Sequence, residues 1–493
     1  MRQCSDMGQL ITFDMLLDDV LLEIFDFYVN GDMDVVSDLS LKQIVEEWIR
    51  LAHVCRRWRS LIFQSPHRLD LQLVCTPKTP ARDTLDIWPH LPISIYIFRE
   101  EPSSSMDNII AALEHNDRVR EIELEDLTNS QLKYITNSAA MQKPFLELTD
   151  LNIGIDMFED DEPRPILPDL FLGGTALRLR YLFLCRVPFP GLPRLLLSAT
   201  HLVYLHLFDI PPSGYIPPEA MATSLSVLTS LKSFCIHFRC PPPHSALESR
   251  QPPPPPTRSI LPSLTEIDFT GASKYLEKIL ARVDAPRLDK ICISFFSNQT
   301  IFHTPNLFQC ISRRPTLRAP KEGRIRIMFG YADITVRFLS QTSDLGLISL
   351  KIQCTASEWQ LSSLEQVCSS SSPLLSTLED LYIFEGRWGP TRRQGDFEST
   401  LWLDFLHSFV AVKNLYLSEE FVPRVALALQ ELVGGRTTEV LPTLENIFLE
   451  GFQPSKPLHE GIEKFFAARR LTNHPVAVSH WDTVSKREKQ WGS

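Results

Sequence analysis

The sequence is poor in the features that mark most membrane and enzyme classes. No stretch reaches about 18 apolar residues without a charge or a proline, so no membrane-spanning helix is predicted. Asp6, Asp14, Asp18 and Asp19 crowd the start of the chain in place of a basic segment and an apolar core, which predicts no secretory leader. The ten cysteines occur singly, with no Cys-x-x-Cys pair, so reduced thiols are expected rather than a disulfide framework or a structural zinc module. The glycine doublets Gly173-Gly174 and Gly434-Gly435 lack the further glycines and the Lys-Ser/Thr ending of a phosphate loop. Neither a Gly-x-Ser-x-Gly elbow nor a His-Glu-x-x-His helix is present. Basic excess is missing too: the net charge is -11 and the pI about 5.7, which argues against a nucleic-acid backbone as the main partner.

Apolar periodicity is abundant. After a tail at 1–13, residues 14–67 carry two helical patterns: Leu17, Leu21, Ile24, Phe25 and Tyr28, then Ile44, Trp48, Leu51, Val54, Cys55, Trp58 and Ile62. These predict two or three short helices that need a neighbour to fold. Residues 68–115 alternate twice, at Arg68–Val74 and Ile93–Phe98, and are assigned as a connection and the start of a sheet.

From 116 to 457 a phrase apolar-x-x-apolar-x-apolar recurs at roughly thirty-residue intervals, beginning at Val119, Leu148, Leu179, Leu202, Leu231, Leu264, Leu288, Leu347, Leu378, Val412 and Leu444. The Leu288-to-Leu347 interval is double the others and holds Arg324–Met328, where a degraded strand is expected. Helix-capable segments lie between several of these strands, for example 190–200, 217–230, 272–282, 355–368, 401–410 and 422–433. The pattern predicts an α/β solenoid, an irregular leucine-rich-repeat array of about twelve units behind a small all-α head. The proline run within 241–256 is expected as a loop, and 458–493 as a C-terminal cap and tail.

Within the head, Leu16-Leu17-Asp18-Asp19-Val20-Leu21-Leu22-Glu23-Ile24-Phe25 and Val54-Cys55-Arg56-Arg57-Trp58-Arg59 resemble an F-box. Leu17 and Asp19 stand where that family carries proline and glutamate, and the spacer between the halves is long, as in forms from mushroom-forming fungi. With the repeats, the chain resembles fungal-type F-box proteins with C-terminal leucine-rich repeats. The resemblance implies a subunit of an SCF-type E3 ubiquitin ligase, cytoplasmic or nuclear, that binds a Skp-type adaptor and through it a cullin scaffold, while the repeats hold a target protein. Carried over by motif, Leu16, Leu17, Leu21, Ile24, Phe25, Val54, Cys55 and Trp58 are adaptor-facing or helix-packing residues. The alternative is a repeat-based interaction scaffold outside any ligase, its head serving only as a cap.

Strand alternation sends every second residue to an open face. Reading those positions gives an acidic start at Glu121, Glu123, Glu125 and Asp150, and an aromatic patch at Tyr181, Phe183, Tyr204, His206 and Phe208. A basic centre follows at Lys290, Arg324, Arg326 and Lys351, and a second aromatic patch at Tyr382, Phe384 and Tyr416. Exposed aromatics of this kind suit a protein target. Arg56-Arg57-x-Arg59 reads as a solvated helix face. Cys235-x-His237-x-x-Cys240 is the compact thiol and imidazole cluster, but no fourth ligand lies near it and its spacing fits no usual zinc site. The carboxylate pairs Asp160-Asp161 and Glu419-Glu420 sit in polar contexts that give no reason for a raised acid pKa. The sequence thus predicts no catalytic residue, no metal and no cofactor.

Overall fold

The computed structural model describes residues 16–30, 48–65, 68–69, 71–85, 90–97, 106–157, 164–241, 258–296, 304–314, 322–328, 333–339, 347–353, 375–385, 399–432, 436–451 and 458–481. The proline run and the segment 355–368 lie outside the described residues. The chain divides into two compact units, Met1–Leu179 and Arg180–Ser493.

In the first unit three helices precede a parallel sheet: α1 (Asp18–Asn30), α2 (48–54) and α3 (Arg56–Gln64). The strands β1 (Leu73–Cys75), β2 (Ile93–Ile97), β3 (Val119–Leu127) and β4 (Asp150–Ile155) pair in sequence order. The crossovers hold α4 (Ala81–Leu85), α5 (Asp107–Leu113) and α6 (Asn129–Thr136). Thr128 and Gln131 form a reciprocal capping box that satisfies two orphan amides and fixes where α6 begins. On the open side Glu121 accepts from the Tyr96 hydroxyl at 2.7 Å and Ser94 at 3.2 Å, so part of the acidic start is internally satisfied.

The second unit opens with β5 (Tyr181–Cys185), β6 (Tyr204–Ile210), β7 (Ser233–Phe238), β9 (Glu266–Gly271) and β11 (Lys290–Phe296), with β8 (Ser259–Ile260) and β10 (Val283–Asp284) pairing separately. Register aligns Leu182, Leu205, Phe234, Ile267 and Ile291 in one row and Leu184, Leu207, Ile236, Phe269 and Ile293 in the next, all buried. Each such side chain contributes about 1.5–3 kcal/mol by leaving water. The helices α7 (Leu192–Leu196), α8 (Pro218–Leu225) and α9 (Ser273–Leu280) lie in the crossovers. Tyr275 of α9 stacks on Phe269 at 5.9 Å and meets Phe238 edge-on at 4.8 Å, locking that helix to the sheet.

Beyond β11 and α10 (Pro305–Ser312) the order changes. The strand pairing β11 is β14 (Leu347–Gln353), which runs parallel to it in full register. β13 (Asp333–Leu339) then pairs antiparallel with β14 and with β12 (Glu322–Met328), and β12 pairs β15 (Asp380–Glu385) in parallel. The block closes with β16 (Asn414–Leu417), β17 (Asn446–Glu450) and β18 (Ala477–Trp481), with α11 (Ser399–His407), α12 (Val422–Gln430) and α13 (Glu460–Leu471) between strands.

This overturns the expected leucine-rich-repeat solenoid of about twelve units. The fold is α/β, with ten strands that are parallel throughout and a further five-stranded parallel block, built from the strand–helix–strand unit of Rossmann-type α/β domains. A solenoid adds each unit onto the one before it. Here the order β11-β14-β13-β12-β15 reverses that progression through an antiparallel meander. Arg324–Met328, expected as one degraded repeat, is one arm of it. Its partner β13 alternates Ile334, Val336 and Phe338 without the leucine phrase.

Among the described residues no helix is long and apolar enough to cross a membrane. The pairing of α12 and α13 depends on a glycine. A Cβ at Gly461 would lie 2.5 Å from the carbonyl oxygen of Ala426, a backbone atom that cannot swing aside. Gly461→Ala is therefore expected to destabilise the protein by about 1–3 kcal/mol in denaturant unfolding. Leu471→Ser, at a side chain 88% exposed, should leave the midpoint unchanged.

Candidate functional site

The head is held by the segment Cys55–Arg59. Cys55 is extended (φ -157°, ψ 171°), which ends α2 and starts α3, and its thiol accepts from the Trp58 amide at 3.4 Å. Arg57 donates to Asp18 Oδ1 and, at 2.6 Å, to the Leu16 carbonyl, fastening the start of α1. Arg59 donates to the Ala52 carbonyl at 3.0 Å and so caps α2. The Trp58 ring lies 4.7 Å from Phe25 of α1. Of the arginines expected on a solvated face, Arg56 and Arg59 are exposed and Arg57 is half-buried, while Arg57 and Arg59 also bond to neighbouring helices.

The residues carried over from the motif separate into two groups. Leu21 and Phe25 are fully buried, with Leu22 beside them, and Leu16 and Trp58 are half-buried. Their work is packing. Leu17, Ile24, Val54 and Cys55 face outward. Leu17, just before α1, and Val20, Ile24, Phe27 and Tyr28 of α1 form an unbroken exposed stripe at three- and four-residue spacing, Leu17 at 74% and Phe27 at 78% exposure. α1 is thus apolar on two adjoining faces, one already packed. Val20 and Phe27 were missed in the sequence because the inner and outer apolar arcs adjoin and the first periodic pattern read spans both.

The second unit carries the strand-face residues. Tyr181, Phe183, Tyr204, His206 and Phe208 sit together on the less buried face of β5 and β6. Tyr181 lies 6.1 Å from Tyr204 and 5.8 Å from His206, and Phe183 lies 5.2 Å from Phe208. Burial lowers the pKa of His206, which favours a neutral imidazole on this patch.

Among the described side chains of the basic centre, Lys290 and Arg324 are both paired. Lys290 pairs with Glu266 at 2.6 Å, which raises its pKa. Arg324 is buried, pairs with Glu322 and lies 5.4 Å over the Tyr382 ring. Arg326 and Lys351 occupy register positions on β12 and β14, but their side chains lie outside the described residues. β13 separates these two strands and places Arg337 in register with Arg324, a cation the sequence map did not include.

The second aromatic patch is covered. Tyr382, Tyr416 and Phe448 are register partners and stack at 4.1 and 4.5 Å, nearly parallel. Trp481 on the last strand packs against them, and Tyr382 and Phe384 are buried. Beside this stack, two residues earlier on each strand, Asp380, Asn414 and Asn446 form a side-chain ladder at 2.7 and 2.8 Å. Tyr382 and Phe384 therefore serve packing, contrary to the open patch expected.

Among the described residues, the α1 stripe and the Tyr181–Phe208 patch are the predicted apolar positions that face outward together. No protein-family model matches the chain, and no curated protein does either.

Packing and docking roles on α1 separate by substitution. Phe25→Ala removes a fully buried ring and is expected to cost about 3–5 kcal/mol in denaturant unfolding. Ile24→Asp, one residue away on the outer stripe, should stay within about 0.5 kcal/mol of the parent.

Proposed function

We propose that the chain is a substrate-recruiting subunit of an SCF-type ubiquitin ligase, working in the cytoplasm or nucleus. The helical head docks a Skp-type adaptor, and through it a cullin scaffold, while the open strand face of the second unit holds a target protein. The observation that carries the reading is the outer stripe of α1. Five apolar side chains stand exposed on a helix whose other face is already filled, which is the surplus a helix-docking partner uses. The packing of Trp58 on Phe25, the Cys55 cap of α3 and the clasp by Arg57 support it, because they fix how α1 is presented. The free thiols among the described residues suit a reducing compartment.

Target binding rests on the aromatic patch of β5 and β6, where tyrosine, phenylalanine and histidine present a large contact area with little rotamer freedom to lose. The ligase function is positional and needs no catalytic side chain: holding target and conjugating enzyme together raises their effective concentration.

A second reading, an interaction scaffold outside any ligase, is favoured by one contact. Arg68 pairs with Asp19 and Glu23 of α1, joining the head to the chain that leads into β1, as a cap would.

One binding experiment separates the two. The full chain is expected to capture a purified Skp-type adaptor, and Ile24→Asp or Phe27→Asp should weaken that capture at least ~10-fold. An adaptor that binds another F-box protein under the same conditions but not this chain moves the assignment to the scaffold.

A further inference from the structure

Cys235 and His237 are two residues apart on β7, so both point to the same face of the sheet, Cys235 buried and His237 half-buried. The register places Asp268 of β9 directly beside Cys235. The three side chains converge: the Cys235 Sγ, a His237 ring nitrogen and an Asp268 carboxylate oxygen all lie within 4.8 Å of one another, and His237 Nε2 is 2.9 Å from Asp268 Oδ1. We propose that Cys235, His237 and Asp268 bind a divalent transition-metal cation of borderline softness, zinc(II) being the best match, with a fourth position left for water or an incoming donor.

The donor set decides the class of ion. One thiolate, one imidazole and one carboxylate suit zinc or cobalt, whereas calcium and magnesium require oxygen donors. Distance is close to what coordination needs. In a tetrahedral zinc site, bonds of about 2.0–2.3 Å put donor atoms roughly 3.3–3.8 Å apart. The widest separation here closes by about 1 Å, within reach of small rotations of the aspartate and histidine side chains.

The surroundings also fit. Across the sheet the row runs His206, Cys235, Asp268, Cys292, and Glu266 lies one pleat away with Lys290 bound to it. Phe208 sits edge-on to the His237 ring at 4.8 Å, forming an apolar wall. It reaches that position because β6 bulges between Leu207 and Ile210, where Asp209 adopts φ +50°.

A hydrolytic use of the same cluster, with Cys235 as nucleophile, is disfavoured. Burial and the neighbouring carboxylates push the thiol pKa up, the opposite of an activated nucleophile. A bound dication reverses that balance: the thiol releases its proton to solvent, the thiolate takes a metal bond, and the His237–Asp268 hydrogen bond gives way to coordination.

The test uses the full chain, stripped with a chelator and titrated with cobalt(II) as a spectroscopic probe, then with zinc(II) in competition. The expected result is one cation per chain, with a thiolate-to-cobalt charge-transfer band that zinc abolishes. That band should vanish in Cys235→Ser, persist in Cys240→Ser, and need at least ~10-fold more cobalt in Asp268→Asn or His237→Gln. Asp268→Asn preserves shape, so it decides the matter if Cys235→Ser fails to fold. No thiolate band in the parent protein overturns the proposal, as does a band that survives Cys235→Ser or is indifferent to Asp268→Asn.

Discussion

The second unit depends on register. When adjacent strands pair in parallel without slippage, equivalent positions line up in rows about 4.8 Å apart, and alternation sends neighbouring rows to opposite sides of the sheet. One set of rows, such as Leu182-Leu205-Phe234-Ile267-Ile291, is buried and supplies much of the cohesion. The other set is then fixed at no further cost in conformational order. Tyr181 meets Tyr204, Cys235 meets Asp268, and Tyr382 meets Tyr416 for the same geometric reason. A one-residue slip would exchange the two sets, burying the carboxylates and exposing the leucines.

The open rows do different work along the sheet. Where rings stack face to face, as in Tyr382, Tyr416 and Phe448, the row closes on itself and Trp481 of the last strand covers it. Where they meet tilted or edge-on, as in Tyr181, Tyr204 and His206, the rings do not stack into a closed row. Charges are paired in the same way at two positions, Lys290 with Glu266 and Arg324 with Glu322.

Local structure was legible wherever one residue type repeated at a fixed spacing. The leucines of β5 and β6 and the helices following β6 and β16 announce themselves by period. Connectivity was not. β13 carries Ile334, Val336 and Phe338, good strand residues outside the leucine phrase. The chain order also gives no sign that β14 rather than β12 pairs with β11, because a parallel addition and a meander bury the same alternating pattern. Cys235 and His237 were legible as neighbours, but Asp268 as the third member of their cluster was not, for a related reason. Asp268 lies far along the chain, and only strand pairing brings it to the thiol, whereas Cys240, close in sequence, is not part of the cluster. On α1 the apolar residues cover so much of the helix that periodicity alone could not say which arc faces inward; burial of Leu21, Leu22 and Phe25 settles it.

The outer arc formed by Leu17, Val20, Ile24, Phe27 and Tyr28 is the surface proposed to dock a Skp-type adaptor. Hydrogen–deuterium exchange of the full chain with and without saturating adaptor tests it most directly. The account predicts added protection centred on residues 17–28 and on the neighbouring 48–58 segment, with the strands of the second unit unchanged. Protection absent from α1, or appearing only on the strand face at Tyr181–Phe208, would contradict it.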